Sequence, residues 1–161
     1  MNGRVDIYIS TCVAFTGQKK GHGAFSAVLV CDSKVLPISS PVSYSSDFNA
    51  LFFAVIHSLT LLKKEGLVIV VHVRNKSFCE AMSRLNSLPH IEYSGYNFLM
   101  LIQSLVSKQE SFFVEWLEND DNAYLQIAKR HAQALAESFW KIFSFNPPVI
   151  SQRPQTESLF G

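Results

Sequence analysis

The sequence predicts an α/β domain built on a five-stranded mixed sheet, and three observations carry that expectation. Three strand-like runs joined by turn-forming residues open the chain. A continuous apolar run, Leu67 to Val73, follows a helix-like stretch, as expected of a central parallel strand covered on both faces. Helical and strand patterns then alternate up to a long final helix. Strands 1 to 3 are expected to be antiparallel and strands 4 and 5 parallel, with helices on both faces.

Each element has its own signal. Val5 to Ser10 alternates apolar and polar residues and reads as strand 1. Thr16 to Gly23, rich in glycine and lysine, reads as a turn. Ala24 to Cys31 is strand 2. Asp32-Ser33-Lys34 makes a tight turn into strand 3, Val35 to Ser43, where Pro37 and Pro41 suggest an edge. Ser46 or Asp47 can cap a helix from Phe48 to Lys64, whose Phe52, Val55, Ile56 and Leu59 repeat every 3.6 residues. The adjacent Phe52 and Phe53 point about 100° apart, so one of them is expected near the surface. Gly66 is a plausible end to that helix.

Strand 4 is the apolar run itself. A short helix over Ser77–Leu85, an irregular stretch from Asn86 to Gly95, and an amphipathic helix over Tyr96–Ser107 follow. Strand 5 is Ser111–Leu117. An acidic loop, Glu118 to Asn122, leads into the last helix, Ala123–Phe143. Residues 1–145 are expected to form one domain, and 146–161, with Pro147-Pro148 and then polar residues, a flexible tail.

Composition bounds the function. The chain has 161 residues, enough for one sizeable core, with 48% hydrophobic and 17% charged residues. A net charge of +1 excludes a strongly basic nucleic-acid coat but not a local basic patch. Cys12, Cys31 and Cys79 are widely spaced without a CxxC pair, and are expected to be buried free thiols. No run approaches the ~20 apolar residues of a membrane span, and no signal-peptide pattern precedes strand 1. A cytoplasmic protein without a cofactor is expected.

Several local patterns go together with this element order. Val5-Asp6-Ile7-Tyr8 opens strand 1 ahead of Gly21 and Gly23. Ala54 to Leu59 lies in the first helix, and Leu101 to Leu105 precedes Phe113-Val114-Glu115-Trp116. Ala128-Lys129-Arg130-His131-Ala132 lies in the last helix. Over roughly residues 4 to 140 the chain resembles the ribonuclease H type I fold. That family cleaves with two divalent cations held by four carboxylates, which activate a water and stabilise the leaving oxygen of a phosphodiester.

The resemblance places those carboxylates at Ser10, Leu51, Arg74 and Leu125, none of which is acidic. No Asp or Glu lies within two residues of Ser10, Leu51 or Arg74. A guanidinium at position 74 opposes a dication and can itself bind phosphate. The expectation is therefore a pseudo-nuclease that acts by binding. Its partner would be an RNA/DNA hybrid, double-stranded RNA or a protein.

Lys19, Lys20 and His22 on the first turn, with Arg74, Asn75 and Lys76, are the candidate nucleic-acid contacts. Glu118, Asp120 and Asp121 are weak candidates for a cation, and otherwise acids suited to a helix N-terminus. Two alternatives stand beside the leading one. The first is a divergent metal-dependent ribonuclease using displaced acids such as Asp6, Glu80, Glu118 or Asp121. The second is a purely structural or oligomerisation module. His72, among valines, reads as a packed strand residue rather than a base for Ser10, Thr11 or Cys12. Trp116 and Trp140 read as packing residues. The final stretch, Gln155 to Phe160, resembles short peptides that dock on bacterial sliding clamps.

Overall fold

A computed structural model describes residues 3–15, 21–84 and 96–143. The element order is β1 (Arg4–Phe15), β2 (Gly21–Cys31), β3 (Lys34–Ser45), α1 (Asp47–Leu61), β4 (Val68–Val73), α2 (Lys76–Met82), α3 (Tyr96–Leu105), β5 (Ser111–Trp116) and α4 (Ala123–Phe143). The five strands form one sheet in the order β3-β2-β1-β4-β5. β1 runs antiparallel to β2, and β2 to β3, whereas β1, β4 and β5 are mutually parallel.

Period-two alternation divides β1 between two cores. Ile7, Ile9 and Val13 face the layer containing α1 and α3, with Ile69, Val71 and Val73 of β4. Cys12 and Ala14 face α4, against Ala132, Ala136 and Trp140. Helices therefore cover both faces, as expected. Each fully buried aliphatic side chain, such as Ile7, contributes roughly 1.5–3 kcal/mol over its exposed state. Phe52 sits at the centre of an aromatic group, with ring centroids 4.9 Å from both Phe78 and Phe98. Its neighbour Phe53 is 37% exposed, so the pair does divide between core and surface.

Several expectations need correcting, beginning with β1, which runs to Phe15 instead of ending at Ser10. The glycine-rich turn does not extend to Gly23, because β2 starts at Gly21 and pairs Val13 with Gly23. Gly23 is there for space: a methyl group would run into the Cys12 carbonyl oxygen and come within 2.7 Å of Val13 Cα. α1 ends at Leu61, with Leu62 as its extended C-cap, rather than at Lys64. Gly66, at φ 75°, turns the chain into β4 instead of ending the helix, and its N–H bonds to Lys108 O at 3.0 Å. Of the three free thiols, Cys12 is buried, but Cys31 and Cys79 are only half-buried.

β3 is an edge strand, as its prolines suggest, and Ser46 caps α1 by accepting from the Asn49 N–H at 3.0 Å. The irregular stretch 86–95, Lys19, Lys20 and the tail 146–161 lie outside the described residues. Among the described residues, no helix is long and apolar enough to cross a membrane.

Candidate functional site

Unequal strand lengths make a cleft. β1 pairs with β4 from Arg4↔Val68 to Tyr8↔His72, and β4 then stops at Val73 while β1 runs on to Phe15. The first turn of α1 and the start of α4 flank the gap. Such positions, at the carboxyl ends of parallel strands, are where open α/β sheets commonly hold ligands. The cleft has a volume of ≈ 270 Å³, and Ser10, Leu51, Arg74 and Leu125 all line it. Four positions scattered over more than a hundred residues thus line one cleft.

Their chemistry is mixed. Leu51 and Leu125 are buried and give the cleft an apolar wall. Arg74 is exposed at its mouth. Its Nε donates to Leu117 O at 3.4 Å and its Nη2 to Glu118 O at 3.1 Å, tying the end of β4 to the loop before α4. Asn75, beside it, caps α2 by accepting from the Phe78 N–H at 2.8 Å. Lys76 places its Nζ 5.0 Å from the Trp116 ring centroid. Trp116, the register partner of Val73, is 42% exposed and packs only partly.

Two charged lining residues, Asp47 and Lys129, escaped the sequence reading, whereas Asp120 was named only as a cation candidate of its loop. Asp47 lies one helical turn before Leu51 and accepts from Thr11 Oγ1 at 2.9 Å. Asp120 and Lys129 also line the cleft and pair at 3.1 Å. The hydrogen bond and charge of Lys129, assisted by Arg74, hold the Asp120 carboxyl below its ordinary range. The i, i−4 spacing of Asp47 and Leu51 was the available signal, because residues so spaced share a helix face. Asp120 gave no such signal, since only the folded loop shows which of its acids turns inward.

Asp47 and Asp120 balance Arg74 and Lys129, so the formally charged side chains of the lining sum to zero. This donor set does not fit two divalent cations. Alkyl groups and a guanidinium supply no oxygen ligand, and both carboxylates are already engaged. Glu118 and Asp121 do not line the cleft, and neither do Asp6 and Glu80. Among the described residues, no three His, Cys, Asp or Glu side chains group to hold a metal ion.

His22 stands apart from the cleft. Its Nδ1 accepts from the Tyr44 N–H at 3.2 Å, and its carbonyl accepts from Trp140 Nε1 at 2.7 Å. It thereby links β2, β3 and α4. His72 is buried in β4, with Nε2 2.8 Å from Asp6 Oδ1 and its ring stacked 4.3 Å from that of Tyr8. Its Nδ1 lies 3.4 Å from Glu115 Oε1 without hydrogen-bond alignment. These partners make it a packed strand histidine.

No family model and no curated protein matches this sequence. Solved structures do match in shape. The N-terminal RNase H domain of a Mycobacterium tuberculosis protein, solved as a fusion with maltose-binding protein, aligns with a TM-score of 0.63 at 16% identity, over 86% of this chain and 99% of that one. LC9-RNase H1, described as a type 1 RNase H with the type 2 active-site motif, gives 0.68 at 11% identity, over 86% and 74%. RNase H1 from the halophilic archaeon Halobacterium salinarum gives 0.58 at 13% identity, over 78% and 94%. At these identities the likeness concerns the fold, and on it the sheet order, the strand directions and the helices of both faces agree: the chain has the RNase H-like fold.

Proposed function

We propose that this chain is an RNase H-like domain that binds structured nucleic acid without cleaving it. The observation that supports this reading best is the cleft lining, where a fixed cation, Arg74, stands at a position suited to a metal ligand. Arg74 and Lys129 neutralise the two carboxylates present, so little charge is left to attract Mg²⁺. Arg74 remains exposed at the mouth, and Lys76, two residues further on, stands over the half-open Trp116. Guanidinium and ammonium groups suit a phosphate backbone, and an indole face suits a base or sugar. An RNA/DNA hybrid or double-stranded RNA is the expected ligand class.

The test combines binding and cleavage on one set of fluorescent duplexes. Hybrid binding is expected to be micromolar and to weaken steeply with salt. Lys76→Glu should lower affinity about tenfold and flatten the salt slope by roughly one phosphate contact, without cutting in Mg²⁺ or Mn²⁺. Salt-independent or undetectable binding would remove the proposal.

A second reading rests on a specific observation, the presence of both Asp47 and Asp120 in the cleft. A divergent nuclease using those displaced acids would cut, and Asp47→Asn and Asp120→Asn would each abolish the cutting. That result would replace the binding reading.

A further inference from the structure

A second concave surface lies at the other end of the sheet, beside the starts of β1 and β4. It is an open groove of ≈ 600 Å³ between the β2–β3 hairpin and the segment that follows α1. Buried Val5, Leu29 and Leu67 form its floor. Leu36 on one wall is 51% exposed and Leu61 on the other is 40% exposed, so apolar surface continues to the rim. Aliphatic surface of this extent gains from being covered.

The charged residues of the groove are all of one sign. Lys34 stands on the hairpin wall, and Lys63 and Lys64 on the α1 wall. No Asp or Glu is among the described lining residues, and the neighbouring Glu65 is turned to Lys108 at 3.6 Å. We propose that this groove docks an acidic amphipathic helix of a protein partner. Cations on both walls match several carboxylates spread along a peptide better than a single anionic headgroup. The open shape likewise fits a segment laid across it better than an enclosed small molecule. Pro37 and Pro41 deprive the β3 edge of backbone donors, which disfavours addition of a strand there. Side-chain docking of a helix through leucines at i, i+3, i+4 and i+7 is the mode that remains.

This proposal does not depend on nucleic-acid binding at the cleft, and its test uses different variants. The full chain, ¹⁵N-labelled, is titrated with a synthetic helix of about four turns that carries leucine at those positions and glutamate elsewhere. A matched peptide with lysine in place of glutamate is the control. The acidic peptide is expected to shift the amides of Leu36, Leu61 and Lys63 saturably. Lys34→Glu/Lys63→Glu/Lys64→Glu should weaken it by at least about tenfold in fluorescence anisotropy. Leu36→Ser, at an exposed position, should weaken it while leaving the melting temperature nearly unchanged. Equal binding of the lysine peptide, shifts confined to other surfaces, or no saturable binding overturns the proposal. The same shifts from dodecanoate at lower concentration than the peptide would also overturn it, in favour of an acyl ligand.

Discussion

Asp6 on β1 lies 2.8 Å from Nε2 of His72 on β4, and the same carboxylate takes the Arg4 guanidinium at 2.9 Å. Burial pushes the Asp6 carboxyl up, but hydrogen bonds from Arg4 and His72 outweigh it and hold the group below its usual range. A carboxylate depressed in the folded state adds stability above its unfolded value, about 3.9, and loses it as pH falls through the folded value. The melting temperature should therefore fall as pH is lowered from about 5 towards 2. Part of that fall should be missing in Asp6→Asn, whose melting temperature is lower at pH 7. An identical pH profile for the two proteins would refute this role for the pair.

The cleft lining can be tested by restoring what the metal reaction requires. Ser10→Asp, Leu51→Glu and Arg74→Asp together place three carboxylates on one cleft. Oxygen ligands of this kind bind Mg²⁺ and Mn²⁺. Without metal the triple variant should melt below the parent, because it gathers like charges and buries one at position 51. Mn²⁺ should restore its melting temperature and give a bound-manganese spectrum at least about tenfold stronger than the parent's. Equal manganese binding by the parent would mean that its own residues already suffice.

Gly23 offers a test of close packing between β1 and β2. Gly23→Ala would push a methyl group against the Cys12 carbonyl and the Val13 backbone. Overpacking of this kind costs about 1–3 kcal/mol. Urea denaturation should show a lower midpoint with an unchanged slope. A variant as stable as the parent would contradict the packing described at this position.

The three thiols should differ in reactivity. Burial, aided by the negative charges of Asp47 and Glu137, pushes the Cys12 thiol up to about 12. The thiolate is the reactive form, and burial raises the Cys79 thiol as well, so at pH 8 iodoacetamide should modify half-buried Cys31 first and Cys12 last. Mass spectrometry of the native and urea-unfolded protein reads this directly. Rapid labelling of native Cys12 would show that the α4 face of the sheet opens readily.

Local periodicity alone determined much of this protein. The order of the nine elements among the described residues, the edge position of β3, the Ser46 cap and the different fates of Phe52 and Phe53 follow from side-chain period and turn chemistry. These features are legible because they involve residues within a few positions of one another. Boundaries were less so: α1 stops at Leu61 although its apolar pattern continues, because Leu62 already adopts an extended backbone.

The four positions of the cleft were readable through a resemblance, but their surroundings were not. Thr11 meets Asp47 across 36 residues, and His22 meets Trp140 across 118. No local pattern encodes such pairs, since they depend on how strands and helices stack after each has formed. Only the tertiary structure turned Asp120 towards Lys129 and made the cleft's charges cancel. The sequence by itself determined that no Asp or Glu lies within two residues of Ser10, Leu51 or Arg74, three residues that line the cleft. The packing of α1 and α4 around the end of β4 decided that two other carboxylates are present and already engaged.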